Sequence, residues 1–569
     1  MDDLADIFII GGGINGCAIA RDAAGRGLTV RLAEMGDLGS GASGNTTKLA
    51  HGGLRHMERF EFSRIREAAA ERDILMRIAP HLCRPMRFVV PFDKDMRIEN
   101  DTPASRLLRV VLPWLGGRRP AWLIRMGLGL YAHLGRNDLM AGVTPLDLTG
   151  SAPGLPLQDR LSRGWEYSDA WVDDARLVIA NARDAEARGA KIMPRTLVLS
   201  AKRRDDLWEI EVEDRHGVVS TYRARALVNA AGPWAGKVQS GATGHGNGAG
   251  LVRGAHVVVP ALFGHDRGYY LQAKDGRYIF VLPYEAGYTL IGTTYVEHPD
   301  PDAPAFGTKS ELGFLLEFAS RYFRRKVSID DVVWSYAGVR SAPPEEADSS
   351  TTASRDCAML LDDADGVPML SVYSGRLTTY RKQAEDALSK LGKYFPDLPV
   401  SWTANVPLPG GDLPFDGTGR LAVQLATEYP FLGPDWARRM ARAYGTEARQ
   451  ILGEAKEASD LGRDFGQTLT ERELDWLMER EYALTADDVI WRRTKLGLRM
   501  EKHEVNALDS YMTAWRNGVP EDAAAEAGAE DAAAGDQPET VAEETPAAAP
   551  APAREVETAG GVAAAGART

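Results

Sequence analysis

Three glycines near the head of the chain, Gly11, Gly13 and Gly16, have the Gly-x-Gly-x-x-Gly spacing that brings backbone close to a pyrophosphate. Gly11 permits a sharp turn out of a strand, Gly13 admits the phosphates, and Gly16 lets a helix pack on that strand. Gly12 and Asn15 fill the positions between them, and Glu34 stands where a carboxylate accepts hydrogen bonds from ribose hydroxyls. An acid there disfavours a 2′-phosphate, so the expected dinucleotide is FAD or NAD rather than NADP. These residues need a strand, a helix and a second strand to hold them. The apolar run Asp6-Ile-Phe-Ile-Ile10, the helical pattern after Gly16 and the run Leu28-Thr-Val-Arg-Leu-Ala-Glu34 supply that order. The helix N-terminus then offers unpaired N–H groups and partial positive charge to the phosphates.

Further loops rich in small residues lie far along the chain. Gly39 to Lys48 is small and polar and runs into Leu49-Ala-His-Gly-Gly-Leu-Arg55, a composition that brings backbone donors close to a ligand. Strands are expected between Arg195 and Asn229, with turns at Arg204-Asp-Asp206 and His216-Gly217, ending in Asn229-Ala-Ala-Gly-Pro-Trp234. A third strand reaches Gly375 from Leu370 and passes into a helix bearing Glu385 and Leu388. One cofactor gripped by separated segments accounts for all three strand-to-glycine edges. Gly254 to Val259, Arg277 to Leu282 and Tyr288 to Thr294 read as the sheet of a cap facing that cofactor, and Ser63 to Ile78 as a helix packed on the sheet. From about Pro407 the pattern is helical, with Gly419 to Glu428, Asp435 to Tyr444 and Thr470 to Glu481, the last opening on the capping-box signature Thr470-Glu-Arg-Glu473.

At 569 residues the chain exceeds the usual single-domain size. Its formal charge of −13 is uneven: from Gly518 to Thr569 the net is −9, leaving −4 for the body. That Ala/Pro/Glu-rich tail has too few large apolar residues to offset chain entropy and is expected to be disordered. Cys17, Cys83 and Cys357 are far apart without metal-ligand spacing, which suits a reducing compartment and predicts no metal. Residues 1–6 lack the basic and apolar regions of a secretory signal, and no apolar run of about eighteen residues occurs. The expectation is a cytoplasmic protein, or one bound peripherally to the cytoplasmic side of the inner membrane, with no nucleic-acid partner.

The set formed by Gly-Gly-Gly-Ile-Asn-Gly16, Lys48-Leu-Ala-His-Gly-Gly-Leu-Arg55, Trp165 to Leu177, Asn229 to Trp234, Gly254-Ala-His256, Ile291-Gly-Thr-Thr294, Tyr336-Ala-Gly-Val-Arg340 and Leu377-Thr-Thr-Tyr-Arg381 resembles the FAD-dependent sn-glycerol-3-phosphate dehydrogenases, over about residues 5 to 515. The resemblance implies an α/β FAD-binding Rossmann-like domain with a β-rich substrate-binding cap, of glutathione-reductase and amino-acid-oxidase type, and a helical C-terminal domain. The FAD-binding part is expected from 1–85, about 160–235 and 355–400, the cap from 86–159 and about 236–354, the helical domain from 401–517, and the tail from 518–569. The implied reaction is oxidation of glycerol 3-phosphate to dihydroxyacetone phosphate, with electrons passing through FAD to a membrane quinone. A homodimer is left open, as are an oxidase using oxygen and a flavin-binding regulatory protein without turnover. Beside the first glycine loop and Glu34, the resemblance places Ser43, Thr47, Lys48, Leu49, Gly52, Val198, Ala231, Gly232, Gly375, Arg376, Leu377 and Thr378 at the cofactor.

The chemistry asks for a proton acceptor on a secondary hydroxyl and a cationic clamp on the far end of the substrate. Arginine suits the clamp because its planar fork meets phosphate oxygens bidentately. Arg55, Arg340 and Arg355 are the expected clamp, with Arg340 also counted as catalytic; His51 is favoured as the base and His256 as a substrate-orienting group. Two positions depart from the family pattern: Arg376 stands where a lysine is expected, and His56 where a tyrosine is common. Finally, Arg106 to Arg119 and Trp122 to Met126 mix arginine with Trp and Leu, which reads equally as a membrane-interface segment or a buried cap helix, and Arg324-Arg-Lys326 as added attraction to anionic lipid or as solvated surface.

Overall fold

A computed structural model describes residues 4–94, 96–97, 102–111, 114, 118–135, 139–245, 250–272, 277–341, 357–363 and 366–518, apart from the Arg55 side chain. The expected tail from 519 onward and Arg355 lie outside the described residues. Among the described residues the strands form two sheets.

The first sheet is centred on Leu4–Ile10, which pairs in parallel with Val30–Ala33 on one side and Val219–Asn229 on the other. Lys191–Met193 and Met369–Tyr373 extend the parallel ladder at either side. The central strand reads as an unbroken apolar run because both faces are covered. Ile7 and Ile9 join a cluster with the helices Ile14–Gly25 and Asp174–Ala187, while Phe8 and Ile10 pack with Trp208 and Ile210 on the other face. Leu197–Arg204, Leu207–Glu213 and Val219–Asn229 form the expected meander. Asp205 and Asp206 turn it with φ of +48° and +61°, a conformation Asp tolerates.

The second sheet contains the three predicted cap strands, observed as Leu251–Pro260, Tyr278–Tyr284 and Tyr288–Gly292. Cys83–Pro91, Arg163–Val172 and Leu49–Ala50 also pair into it. Arg163–Val172 falls within the stretch expected in the FAD-binding part. Arg163–Val172 pairs along its length with Cys83–Pro91, so hydrogen bonding holds it to the cap rather than to the parallel sheet.

The helical part spans Gly417–Glu428, Gly433–Tyr444, Glu471–Arg480 and Lys502–Arg516, with its own core around Leu425, Tyr444, Leu474 and Leu508. The capping box expected at Thr470 does not form. Glu473 turns instead into the domain, taking both Arg439 nitrogens at 2.6 Å and the Tyr444 hydroxyl at 2.6 Å. Two buried ion pairs fasten this domain to the nucleotide-binding one: Arg176 on Glu481 at 2.8 and 2.9 Å, and Arg493 on Asp37 at 2.7 and 2.8 Å.

Pro103–Val111 and Ala121–Leu134 are helices with an uncovered apolar surface: Leu107, Val110, Val111, Trp122, Met126 and Leu130 are exposed, interleaved with exposed Arg106, Arg109 and Arg125. Only Leu128 and Tyr131 of the second helix are buried, so Ala121–Leu134 is not a buried helix, while 112–113 and 115–117 of the expected segment lie outside the described residues. Arg324 and Arg325 are tied to Asp159 and Asp331, a surface paired within the protein. No described helix is long and apolar enough to cross a membrane.

Candidate active site

Three parallel strands end side by side and deliver the glycine loops to one place. Gly11 has φ of +109°, and a Cβ there would lie 2.4 Å from Ala230 O, at the end of the neighbouring strand. A Cβ on Gly16 would lie 1.9 Å from Gly11 O, so the helix Ile14–Gly25 can leave the strand this tightly only from glycine. Gly13 is the N-cap of that helix and supplies no side-chain cap. Ser43 reaches in from the next loop, accepting the Ile14 N–H on its Oγ at 3.0 Å. Glu34 turns back on the loop: its carboxylate accepts the Gly12 N–H at 2.6 Å and the Gly36 N–H at 2.8 Å, and burial raises its pKa above the usual range.

The other two edges close the cradle. Ala231 and Val198 lie half-buried against the same apolar cluster as Ala33, and the space beside Gly232 is open. Asn15 donates to Ser374 O at 2.9 Å, joining the first loop to the third across the mouth of the sheet. Ser374 and Gly375 both have positive φ, and the Thr378 hydroxyl accepts the His51 N–H at 3.0 Å. Leu377 packs on the core. Asn15 Oδ1, Ser374 Oγ and Gln383 Oε1 are buried here with no hydrogen-bond partner among the described residues. Buried polar atoms without partners are costly, and their clustering at an open helix N-terminus is the signature of a polar ligand site.

The segment from Ser43 to Gly53 contributes backbone more than side chains, and this corrects the role expected of Lys48. Its ammonium is buried on Asp174 at 2.7 and 2.8 Å and on Gly44 O at 2.6 Å, and it faces the Tyr336 ring. Desolvation lowers its pKa against the raising effect of Asp174. Lys48 thus pins the loop and has no donor left for a cofactor. Leu49 is a core residue of the cap, and Thr47 Oγ1 lies 3.0 Å from His256 Nε2. Gly52 donates its N–H to the Tyr131 hydroxyl at 2.8 Å, and that hydroxyl donates to Asp169 at 2.9 Å, itself paired with Arg72.

The two expected histidines differ sharply. His256 is 2% exposed, stacked on Tyr336 with centroids 4.8 Å apart, and burial together with the Lys48 charge pulls its pKa down to about 3. That is a packed, neutral ring, with Nε2 on Thr47 and a buried Nδ1 that has no hydrogen-bond partner among the described residues. His51 is half-buried beside the third loop, and its Nδ1 accepts the Gly53 N–H at 3.0 Å. In the neutral ring Nε2 therefore carries the hydrogen.

From the cap, the strand Trp334–Ser341 crosses to the cradle: Tyr336 donates to Thr46 O at 2.8 Å and Ser341 Oγ accepts the Ser374 N–H at 3.1 Å. Arg340 projects from this strand, half-buried, donating to the Tyr295 hydroxyl at 2.7 Å. Arg376 lies on the third loop with Nη2 2.7 Å from His56 Nε2. Sequence reasoning missed Tyr295 and Tyr131. Tyr295 directly follows Ile291-Gly-Thr-Thr294, which was the available signal; Tyr131 had none, lying beyond the Trp122 to Met126 stretch.

This architecture has known counterparts. The chain matches the family model for FAD dependent oxidoreductase over residues 6–381, and that for the C-terminal domain of alpha-glycerophosphate oxidase over residues 401–517. It is 40% identical over 512 residues to aerobic glycerol-3-phosphate dehydrogenase of Escherichia coli (strain K12), covering 89% of this chain and 97% of that protein. The chain belongs to the FAD-dependent glycerol-3-phosphate dehydrogenase family. D-erythritol 1-phosphate dehydrogenase of Brucella abortus (strain 2308) is 39% identical over 505 residues, covering 88% and 96%. Among solved structures, the glycerol-3-phosphate dehydrogenase from Bacillus halodurans complexed with FAD aligns with a TM-score of 0.69 at 25% identity, covering 94% of each chain. The cofactor of this dehydrogenase is FAD, and the cradle fits it: an open helix N-terminus for the pyrophosphate, Glu34 for a ribose, and partnerless polar atoms at the third edge.

Proposed function

We propose that this enzyme oxidises sn-glycerol 3-phosphate to dihydroxyacetone phosphate and passes the electrons to a membrane quinone. The observation that carries the reading is the meeting of the FAD cradle with a cap strand bearing Arg340, in a chain 40% identical to dehydrogenases of that name. When bound, FAD supplies the two-electron acceptor for the carbinol hydrogen. Arg340 holds the substrate phosphate, with Arg55 and Arg355 as its partners in the clamp. Its guanidinium is oriented by Tyr295 and so is prepared for a bidentate contact. His51 meets the secondary hydroxyl through Nε2; to accept the proton there the ring must carry its own hydrogen on Nδ1, which requires it to let go of the Gly53 N–H that Nδ1 accepts in the resting structure. The remaining loop residues bind through backbone groups. The nucleotide domain comprises 1–85, about 173–235 and 357–400, the cap the segments between, and the helical domain 401–517.

The exposed apolar and arginine-bearing helices Pro103–Val111 and Ala121–Leu134 support peripheral docking on the cytoplasmic face of a membrane, where a quinone is available. The relative acting by name on D-erythritol 1-phosphate favours a second substrate reading, a longer polyol phosphate held by the same clamp. Anaerobic bleaching of the flavin absorbance tests both. Glycerol 3-phosphate should bleach it faster than D-erythritol 1-phosphate, and glycerol should leave it unchanged. The reverse order would assign the longer substrate; bleaching by glycerol would remove the clamp. Peroxide yield with and without added quinone separates the quinone-linked enzyme from an oxidase.

A further inference from the structure

The two positions that depart from the family pattern, far apart in the chain, touch each other. His56 lies in the turn Leu54–Arg59 and Arg376 on the loop after Met369–Tyr373, and Arg376 Nη2 reaches His56 Nε2 at 2.7 Å. The other ring nitrogen, Nδ1, bonds the Glu61 carboxylate, and the Glu61 N–H is itself held by His56 O at 3.1 Å. The ring is clamped against the main chain as well: a Cβ on Gly53 would lie 2.5 Å from His56 Cδ2. Burial and the Arg376 charge hold the imidazole down at about 4, against the raising effect of Glu61 and with Arg64 adding a further lowering charge. A neutral ring resolves the whole chain of contacts. Nδ1–H donates to Glu61, and the Nε2 lone pair accepts from the guanidinium.

Lysine has a compact ammonium on a flexible stem and works with little lateral support; arginine's fork must be aimed. We propose that His56, braced by Glu61, is a positioning residue that aims the Arg376 guanidinium into the active site from the loop beside the FAD cradle. A tyrosine at 56 would present a hydroxyl donor and acceptor at the end of a longer ring, while this imidazole offers a fixed lone pair at the distance the guanidinium occupies. The two departures are one coupled replacement, and Arg376 rather than His56 is the group that faces substrate and cofactor. The inference rests on the reading of this site as the place where FAD and a polyol phosphate meet.

A double-mutant cycle tests it, read on kcat/KM for glycerol 3-phosphate and on the midpoint potential of the bound flavin, with FAD occupancy and Tm recorded alongside. His56→Ala and His56→Asn should lower kcat/KM at least tenfold and the potential with it. His56→Gln, which can place an amide oxygen near the Nε2 position, should stay within about threefold of wild type. In an Arg376→Ala background, His56→Ala should change neither quantity further, because its effect passes through the guanidinium. An undiminished effect of His56→Ala in that background, or a His56→Gln protein as impaired as His56→Ala, would overturn the assignment. Should His56→Ala fail to fold, Glu61→Ala replaces it in the cycle with the same expectation. If wild-type enzyme is not reduced by glycerol 3-phosphate, the substrate reading fails on its own, and the potential still decides the positioning role.

Discussion

Replacing Lys48 by methionine separates a residue that holds the cofactor from one that holds the loop. The side chain of Asp174 is fully buried, and Lys48 Nζ sits on both of its oxygens. Lys48→Met removes this charge and leaves Asp174 with the Thr46 N–H at 3.0 Å, the Thr46 hydroxyl at 2.7 Å and the Ala175 N–H at 2.8 Å. Removing one partner of a buried pair costs about 3–5 kcal/mol, because the other charge stays buried without compensation. Against a typical stability of about 5–15 kcal/mol this is a large loss. In Lys48→Met/Asp174→Asn the uncompensated charge is gone, and most of the loss should return. Urea unfolding of the three proteins, with flavin occupancy at each denaturant concentration, gives both quantities. Stability falling in Lys48→Met, recovering in the double variant, with occupancy following stability, is the expected pattern. A Lys48→Met protein that unfolds like wild type but has lost FAD would refute the structural role and return Lys48 to the cofactor.

The other expectations follow from equally local contacts. Arg493→Met should strip Asp37 of its bidentate partner while leaving it Arg492, so the cost should stay below the ~3–5 kcal/mol of a fully uncompensated buried charge, and it should weaken FAD binding because Asp37 lies three residues beyond Glu34; urea unfolding checks the first effect and isothermal titration of FAD into stripped protein the second. Burial, then Arg176 and Arg183, hold His81 down at about 3, so the unfolded chain binds the extra proton as pH falls below about 6.5; stability should drop with a slope of about 1.4 kcal/mol per pH unit from this group, and His81→Gln should flatten the denaturation profile between pH 6.5 and 4 by that amount. Serine at Trp122, Met126 and Leu130 together should remove roughly 1.5 kcal/mol of insertion per side chain, about a thousandfold in binding to anionic vesicles, with kcat/KM for a soluble acceptor unchanged in a flotation-matched assay.

What the sequence disclosed depended on whether the signal was local. The first β-α-β unit was legible because strand, glycines, helix and acid fall within about thirty residues, and Gly11 and Gly16 are each demanded by a backbone clash at their own positions. The cap strands and C-terminal helices were legible from periodicity, with boundaries displaced by a few residues. The place of the Lys48 side chain was not legible, because a lysine in a glycine-rich loop looks the same in sequence whether its ammonium meets a phosphate or Asp174, 126 residues away. The burial of His256 was hidden for a related reason: a histidine in a motif near a glycine carries no mark of burial. The Thr470 capping box failed because Glu473 had a better partner in Arg439 from another helix. Tertiary competition of that kind lies outside any local pattern.

The ion pairs of this enzyme suggest why its motif residues are so often charged without being catalytic. Arg176, within the Trp165 to Leu177 motif, is spent on Glu481 and the Ala443 carbonyl beside the Tyr444 ring. Arg381, in Leu377-Thr-Thr-Tyr-Arg381, is likewise spent on Glu71 and Glu385. Such pairs are poor sources of net stability, since desolvation offsets most of the attraction. What they supply is position. Arg493 seats the helical domain against the loop following Glu34 and Arg176 seats it against the helix Asp174–Ala187, Arg381 fixes the helix that follows the third glycine edge, and Lys48 fixes the loop that it closes onto Gly44 and Asp174. A cofactor site assembled from four separated segments has no local sequence to set their relative placement, and directional charged contacts between segments do so more sharply than apolar packing, which tolerates sliding. On that argument a neutral, isosteric replacement of the whole Arg176–Glu481 pair should leave the fold and its Tm largely intact while loosening FAD. An Arg176→Met/Glu481→Leu enzyme that bound FAD with wild-type affinity would mean that packing alone sets the geometry of the cradle.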